Sequence, residues 1–442
     1  MAEAAPEVKN FFRSPTLNVL LVYVVTENIN MPVLPVGLAS VAAAARREGH
    51  RVTVLNLDSK KPHEKAIEEA IASHGPDVIG FSVRNIDDQN AQNPSFLLQP
   101  VRKAIGHCRK YTDAPIVLGG AGYTMFPRQA LLWLGADLGI AGDGEAPFVE
   151  LLTRLAQKQD ISSIAGLHLP GVLPQGQPFR DRNINNWPMP LPGPDLAASP
   201  PAGGPPLWVP VQTRRGCPLM CSYCSTPVIE GTLIRKRDSA EVVKALGQWQ
   251  KAGFKNFFFV DNTFNLPESY ALKLCRGLAG AGPDISWMTI VYPAGISEAL
   301  VSAMAGAGCK GVSLGFESGS PLMLKAFNKR FGPEDIRRAR NLFKKHGIPC
   351  QGFLLLGGPG ETRDTVLQSL EFADSLELEH CKITQGIRVY PGTRLEQIAR
   401  SSGAVQPDDD LLQPRFYLEP GLSGWLNQEV ESWTETRPHW GS

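Results

Sequence analysis

Cys217, Cys221 and Cys224 fall within eight residues and read C-x-x-x-C-x-x-C. Three thiolates on one short loop can converge on a single soft-metal centre. Iron–sulfur clusters ordinarily take four cysteines, so three from the protein leave one iron open to a small-molecule chelate. Structural zinc is the alternative, but it wants four ligands, usually in two paired knuckles. No second C-x-x-C and no H-x-x-x-H occurs in the chain. Gly216 and Pro218 also make the segment a poor piece of inert core. The other five cysteines (Cys108, Cys275, Cys309, Cys350, Cys381) stand singly and read as small buried apolar side chains.

The elements around this loop must present it at a strand end. Residues 208–213 form a strand that runs straight into the cysteines, and further strands are expected at 256–260, 286–291, 311–315, 351–356 and 382–389. Helical patterns over 239–252, 297–307, 333–346 and 362–375 separate them. Six parallel strands with intervening helices predict a partial (β/α)6 barrel, with its active site at the carboxyl ends of the strands. Before it, strands at 17–25, 51–57, 78–83, 116–118 and 138–141 alternate with helices, which predicts a doubly wound parallel sheet. Its strand ends carry the polar and glycine-rich loops: Thr26, Glu27 and Asn28; residues 84–88; residues 119–122; and Gly142, Asp143, Gly144 and Glu145. Ligands of such sheets bind at these ends.

The chain therefore divides into an N-terminal extension (1–16), a first α/β domain (17–165), a Pro/Gly-rich linker (166–207), the barrel (208–390) and a C-terminal extension (391–442). Its 442 residues are 43% apolar and 20% charged, enough for more than one core. With 44 basic against 43 acidic residues, net charge +1, there is no electrostatic footprint for nucleic acid or an anionic membrane. No apolar run approaches the roughly 20 residues of a transmembrane helix. The polar N-terminus lacks a secretory pattern, so a cytoplasmic location with reduced thiols is expected.

At Cys217, Cys221 and Cys224, with Tyr223 before the last cysteine, the sequence resembles the radical S-adenosylmethionine superfamily. The resemblance implies a [4Fe–4S] cluster whose open iron is chelated by S-adenosylmethionine, and a 5′-deoxyadenosyl radical formed on one-electron reduction. It implies S-adenosylmethionine contacts at Tyr223, at Asp261 and Asn262, at Glu317 and Ser318, and at Gly357. The family's more common glycine-glycine-glutamate is absent at 261–262, where Asp261 and Asn262 supply the acceptors. Glu361 either belongs to the adenine-packing segment or simply favours the next helix N-terminus.

The first domain looks like the cobalamin-binding domain that often precedes this barrel. The residues that carry the likeness are 35–44 with Gly49 and His50, then Gly119, Gly120, Gly142 and Glu145. It implies cobalamin contacts at Thr26, Ser82, Arg84, Asn85, Gly119, Gly120, Gly142 and Glu145. The D-x-H-x-x-G motif that supplies a cobalt-ligating histidine is missing, and the Asp58/His63 spacing is wrong for it. The loop carrying Arg84 is similar to that of tryptophan-methylating members. Arg84 either blocks the lower face of cobalt, since guanidinium has no lone pair to donate, or pairs structurally with Asp87 or Asp88.

Together the halves resemble cobalamin-dependent radical S-adenosylmethionine enzymes, most of which are methyltransferases. The implied reaction methylates a carbon of a small or lipid-like metabolite, with an external electron donor of flavodoxin or ferredoxin type. A radical cyclase without methyl transfer, or a non-catalytic cobalamin sensor, are the rival readings. The aromatics from Phe416 to Trp440 either line a substrate pocket or pack as core.

Overall fold

Valine and leucine crowd β1 (Asn18–Val25), and its six central residues are all buried. Burial on both faces is what a central strand of a parallel sheet requires. In this computed structural model, which describes residues 16–26, 34–58, 62–172, 176–193, 196, 207–282 and 284–441, β1 is indeed central. It pairs in parallel with β2 (Arg51–Asp58) on one side and β3 (Val78–Ser82) on the other. The sheet continues through β4 (Ile116–Gly119) and β5 (Leu138–Ile140) to β6 (Leu167–His168), in the order β2-β1-β3-β4-β5-β6. Strand order therefore reverses across β1 and β3, which opens a crevice above their carboxyl ends.

Alternate side chains of β1 feed two cores. Val19, Leu21 and Tyr23 meet the helices Val36–Arg47 and Glu145–Ala156 through Leu38, Ala42, Phe148 and Leu151. Leu20, Val22 and Val24 meet the helices Glu64–His74 and Leu98–Cys108 on the other face. The last strand departs from expectation: β6 is antiparallel to β5 and lies inside the stretch read as linker. More of that stretch is packed, since Phe179 bridges to Gly142. Glu27, Asn28, most of the N-terminal extension and residues 197–206 lie outside the described residues.

The second sheet begins at β7 (Val209–Val211). A two-strand antiparallel ribbon, β8 (Arg214–Arg215) with β9 (Arg235–Lys236), flanks the cysteine loop. Parallel strands follow in sequence order: β10 (Asn256–Phe259), β11 (Ser286–Val291), β12 (Cys309–Glu317), β13 (Cys350–Leu356) and β14 (His380–Gln385). These with β7 are the six strands of an open barrel. The strand expected at 382–389 is broken at Gly386, whose φ of +74° turns the chain away. The remainder, β15 (Ile387–Arg388), pairs antiparallel with β16 (Phe416–Tyr417). The short β17 (Trp440–Gly441) adds beside β14.

Aromatic side chains fill the barrel wall. Phe259, Phe264 and Trp287 sit with ring centroids 5.1–5.4 Å apart, and the Trp287 indole donates to the Ala307 carbonyl at 2.7 Å. Each such burial stabilises by about 1.5–3 kcal/mol. The tail aromatics pack too: the Arg437 guanidinium lies 4.0 Å from the Trp433 ring, and that ring 6.2 Å from Trp440. The two domains share apolar core, because Met323, Phe327, Leu355, Ile387 and Val389 join the cluster under Leu98 and Leu131.

Candidate active site

The cysteine loop is shaped by its own sequence and clamped from several elements. Gly216 has φ +93°, and a Cβ there would lie 2.1 Å from the Leu233 carbonyl oxygen, so only glycine fits. Its N–H donates to Glu230 Oε2 at 2.9 Å, and the Cys217 N–H donates to Gly231 O at 3.0 Å. Ser222 donates to Phe327 O at 3.1 Å, Leu395 N–H donates to Ser222 O at 2.9 Å, and Asn328 Nδ2 grips Met220 O at 2.7 Å. With the backbone satisfied in this way, the sulfurs are the groups the loop has left to offer. All eight cysteines are free thiols. Among the described residues no three Cys, His, Asp or Glu side chains are already gathered at single-ion spacing.

A buried cation stands beside Cys221. Lys329 Nζ is 3.2 Å from Glu317 Oε1 and 3.3 Å from Gly315 O, and lies 5.4 Å from the Tyr223 ring centroid. Burial raises the Cys221 thiol to about 11, with Lys329 opposing. Metal binding displaces that proton outright. Glu317 has φ +67°, a conformation costly for a residue with a Cβ and one that clusters at ligand clamps. Tyr223 packs edge-on to Phe327 at 5.5 Å.

Of the residues expected to contact S-adenosylmethionine, Tyr223 and Glu317 stay at the cluster loop with polar capacity in reach, and the other four do not. Asp261 is fully buried and accepts from Thr213 N (2.7 Å), Thr213 Oγ1 (2.5 Å), Arg214 N (3.1 Å) and Arg214 Nε (3.1 Å). Its lone pairs are spent on β7 and β8, so it staples strands and cannot be an amino-group acceptor. Asn262 donates to Glu230 Oε2 at 2.6 Å and accepts from Thr226 Oγ1 at 3.2 Å, which makes it a brace behind the loop. The Ser318 hydroxyl shares a 2.7 Å hydrogen bond with Ser369 and accepts from Ser320 N–H, facing the helix Arg363–Asp374. Gly357, φ +96°, gives its N–H to Glu361 Oε2 at 2.5 Å. Glu361 also accepts from Gly358 N–H at 3.0 Å and is buried, which pushes its carboxyl up to about 7. Its place is therefore to close the β13 turn.

Above the first sheet lies a cavity of about 930 Å³. Thr26, Ser82, Arg84, Asn85, Gly119, Gly120, Gly142 and Glu145 all line it. Across from them the wall comes from the barrel, through Trp208, Pro210, Gln212, Phe258, Val260 and Thr384. The cavity also runs down between sheet and helices, where Leu21, Gly80, Val117 and Ile140 face Leu38, Val41 and Phe148. A broad polar-rimmed chamber with an apolar slot fits a flat macrocycle that carries a tail. None of the described lining residues is a histidine.

Arg84 lines the chamber as an exposed side chain without an ion pair among the described residues. Its alternative partners are engaged elsewhere. Asp87 pairs with buried Arg388 (Nε to Oδ2, 2.7 Å), and Asp88 accepts from Asn90 N–H and Ser95 N–H, each at 3.1 Å. Neither aspartate is paired with Arg84 in this structure.

Sequence reading missed three residues. Arg215 forms a fork with Glu145, Glu230 is half-buried beside the loop with its carboxyl pushed up by desolvation, and Lys329 sits by Cys221. The available signals were a basic residue two before the first cysteine, an acid six after the last, and a Lys-Arg pair after Asn328.

Comparison with known proteins agrees with this division. Residues 211–373 match the radical SAM superfamily model, and residues 22–152 match the B12 binding domain model. An uncharacterised methyltransferase of Pyrococcus horikoshii is 29% identical over 370 residues, covering 83% of this chain and 78% of the relative. The tryptophan 2-C-methyltransferase of Streptomyces laurentii is 22% identical over 433 residues, covering 82% and 71%. In fold, the chain is similar to the radical S-adenosylmethionine methyltransferase TsrM of Kitasatospora setae, solved with tryptophan and an S-adenosylmethionine analogue. That match has a TM-score of 0.82 at 24% identity and covers 94% of this chain and 88% of the other.

Proposed function

We propose, for a chain that belongs to the B12-binding-domain-containing radical S-adenosylmethionine enzymes, that it transfers a methyl group to a carbon of a small or lipid-like metabolite. One observation carries the reading: a single cavity is walled on one side by the cobalamin-type sheet and on the other by the barrel that bears the cysteine loop. A chamber walled by both halves, with Arg215 two residues before Cys217 in its lining, suits a transfer between them. The alternative of two independent functions would not need the shared wall.

When bound, the cluster with S-adenosylmethionine supplies a carbon-centred radical, and cobalamin supplies a transferable methyl group. The chain's own residues bind and orient. Cys217, Cys221 and Cys224 hold the cluster. Glu317, paired with Lys329, and Tyr223 are the polar groups left to receive S-adenosylmethionine at that loop. Thr26, Ser82, Asn85 and the glycines at 119, 120 and 142 form the cobalamin cradle, with Leu38, Val41 and Phe148 drying its slot. Such positioning, rather than protein-borne chemistry, is where this chain contributes to rate.

Anaerobic assay with methyl-labelled S-adenosylmethionine tests the reading. Methyl transfer gives S-adenosylhomocysteine and a product heavier by the labelled methyl. Release of 5′-deoxyadenosine with no S-adenosylhomocysteine would instead favour cyclase-type chemistry. Electrons come from an external flavodoxin- or ferredoxin-type donor in this reading, and titanium(III) citrate should replace it. The free thiols support a reducing, cytoplasmic setting, and among the described residues no helix is long and apolar enough to cross a membrane.

Arg84, exposed in the chamber lining, would lie against cobalamin when it is bound and would offer cobalt no lone pair. The Arg84→Lys variant should bind hydroxocobalamin yet show a shifted visible spectrum and methyl transfer lowered about 10-fold or more, the scale for a displaced orienting group. A spectrum and rate identical to wild type would remove Arg84 from that place.

A further inference from the structure

A network of largely buried charges joins the two domains next to the cysteines. The Arg215 guanidinium forks onto Glu145, Nη2 to Oε1 at 2.6 Å and Nη1 to Oε2 at 3.1 Å. Nη1 also lies 3.1 Å from Asp143 Oδ1, and Nε donates to Gln212 Oε1 at 3.0 Å. The Arg235 guanidinium takes the other Asp143 oxygen and donates to Asp181 O and Glu230 O, each at 2.8 Å. Glu145 and Asp143 stand on the β5–helix loop that rims the chamber. Arg215 is two residues before Cys217, roughly 7 Å of chain at most. The intervening Gly216 N–H is fixed by Glu230, and Glu230 is held by Gln212 and Asn262.

We infer that Arg215 is a positioning residue that sets the separation between the two cofactors by locking the Gly142–Glu145 rim of the cobalamin-type domain to the backbone leading into Cys217. The inference rests on the function proposed above. Its physical basis is the shape of the contact. A planar fork satisfied by two oxygens of one carboxylate fixes orientation as well as distance, unlike an apolar contact that can slide. Two carboxylates, Glu145 and Asp143, face the one guanidinium and oppose its charge. The same pairing keeps Glu145 ionised against its own burial. Shared core at Phe327 and Leu355 holds the domains together on another side, so this lock need not decide whether the chain folds. It is the contact that leads directly to the cluster.

The test uses the full chain loaded anaerobically with iron, sulfide and hydroxocobalamin, as wild type, Glu145→Gln and Arg215→Lys. Four quantities are read: iron per chain, the cobalamin titration, methylated product per S-adenosylmethionine cleaved, and the relaxation of the cobalt(II) electron-spin signal by the reduced cluster. Glu145→Gln should keep iron uptake at the wild-type level, and because Glu145 also lines the chamber its relaxation and product ratio are read at saturating cobalamin. Its spin relaxation should weaken, and its product ratio should fall about 10²-fold, as for a roughly 1 Å misplacement of reacting groups. Arg215→Lys, which keeps the charge but not the fork, should fall between. Variants with wild-type relaxation and product ratio overturn the inference. So does a loss of iron and cobalamin in step with the ratio, since that is a merely structural role. A wild-type chain that takes up no cobalamin overturns the proposed function and this inference with it, whereas unaffected variants of a loaded wild type overturn this inference alone.

Discussion

Alanine in place of any one of Cys217, Cys221 or Cys224 is expected to abolish cluster loading and S-adenosylmethionine cleavage while leaving the fold intact. An iron–sulfur cluster with a vacant site for S-adenosylmethionine has no ligand to spare, so two thiolates cannot retain it. Cleavage should drop to background, since the chemistry belongs to the cofactor and enzymatic enhancements begin at roughly 10⁶-fold. The fold should survive because the loop's backbone is held by Glu230, Gly231, Phe327, Asn328 and Leu395, none of which bonds to sulfur. Losing one buried sulfur costs about 1 kcal/mol. Iron and sulfide per chain, 5′-deoxyadenosine by mass spectrometry and far-ultraviolet circular dichroism check the three parts separately. A single variant that keeps full iron content would take that cysteine out of the ligand set.

Asp261→Ala should produce the largest loss of stability, about 3–5 kcal/mol, with no direct effect on S-adenosylmethionine binding by the folded fraction. The carboxylate answers two backbone N–H groups, one hydroxyl and the Arg214 guanidinium inside the barrel. Its removal leaves Arg214, itself fully buried, with carbonyls of Phe264 and Leu266 and the rings of Phe264 and Tyr270 but without a counter-charge. An uncompensated buried cation is far costlier than a lost surface pair. Urea denaturation of the chain measures the loss, and equilibrium binding at low denaturant measures the ligand. Weakened S-adenosylmethionine binding at unchanged stability would return Asp261 to the binding site.

The contrast between those two predictions shows what kind of information the sequence carries. The cysteine spacing is local: three proposed ligands on one turn are legible because nothing distant is needed to bring them together. The alternation of strands and helices is equally local, and it led to both parallel sheets and to glycine-ended loops that the structure gathers around one chamber. The break at Gly386 was harder to see, since a continuous apolar run hides a single left-handed residue that sends β15 to a different partner. The direction of β6 was hidden too, because two residues carry no periodicity.

Buried polar side chains are where local reading failed, and the reason is bookkeeping across distance. Asp261, Asn262 and Ser318 each stand at a strand end beside a predicted ligand, as a binding residue would. What separates binder from brace is whether the lone pairs are already taken, and the takers are remote: Thr213 lies 48 positions from Asp261, and Ser369 lies 51 from Ser318. Arg215 and Glu145 are 70 apart and in different domains, so neither residue alone suggests a lock. Sequence by itself thus pointed to the proposed cluster ligands and determined the two-sheet plan and its glycine-ended loops, because each is encoded within a few neighbouring residues. Only the tertiary structure decided which polar groups remain available to a ligand and how the two cofactor-bearing halves are fastened, because a hydrogen-bonding group buried in the fold must be satisfied by whatever the chain brings within about 3 Å of it.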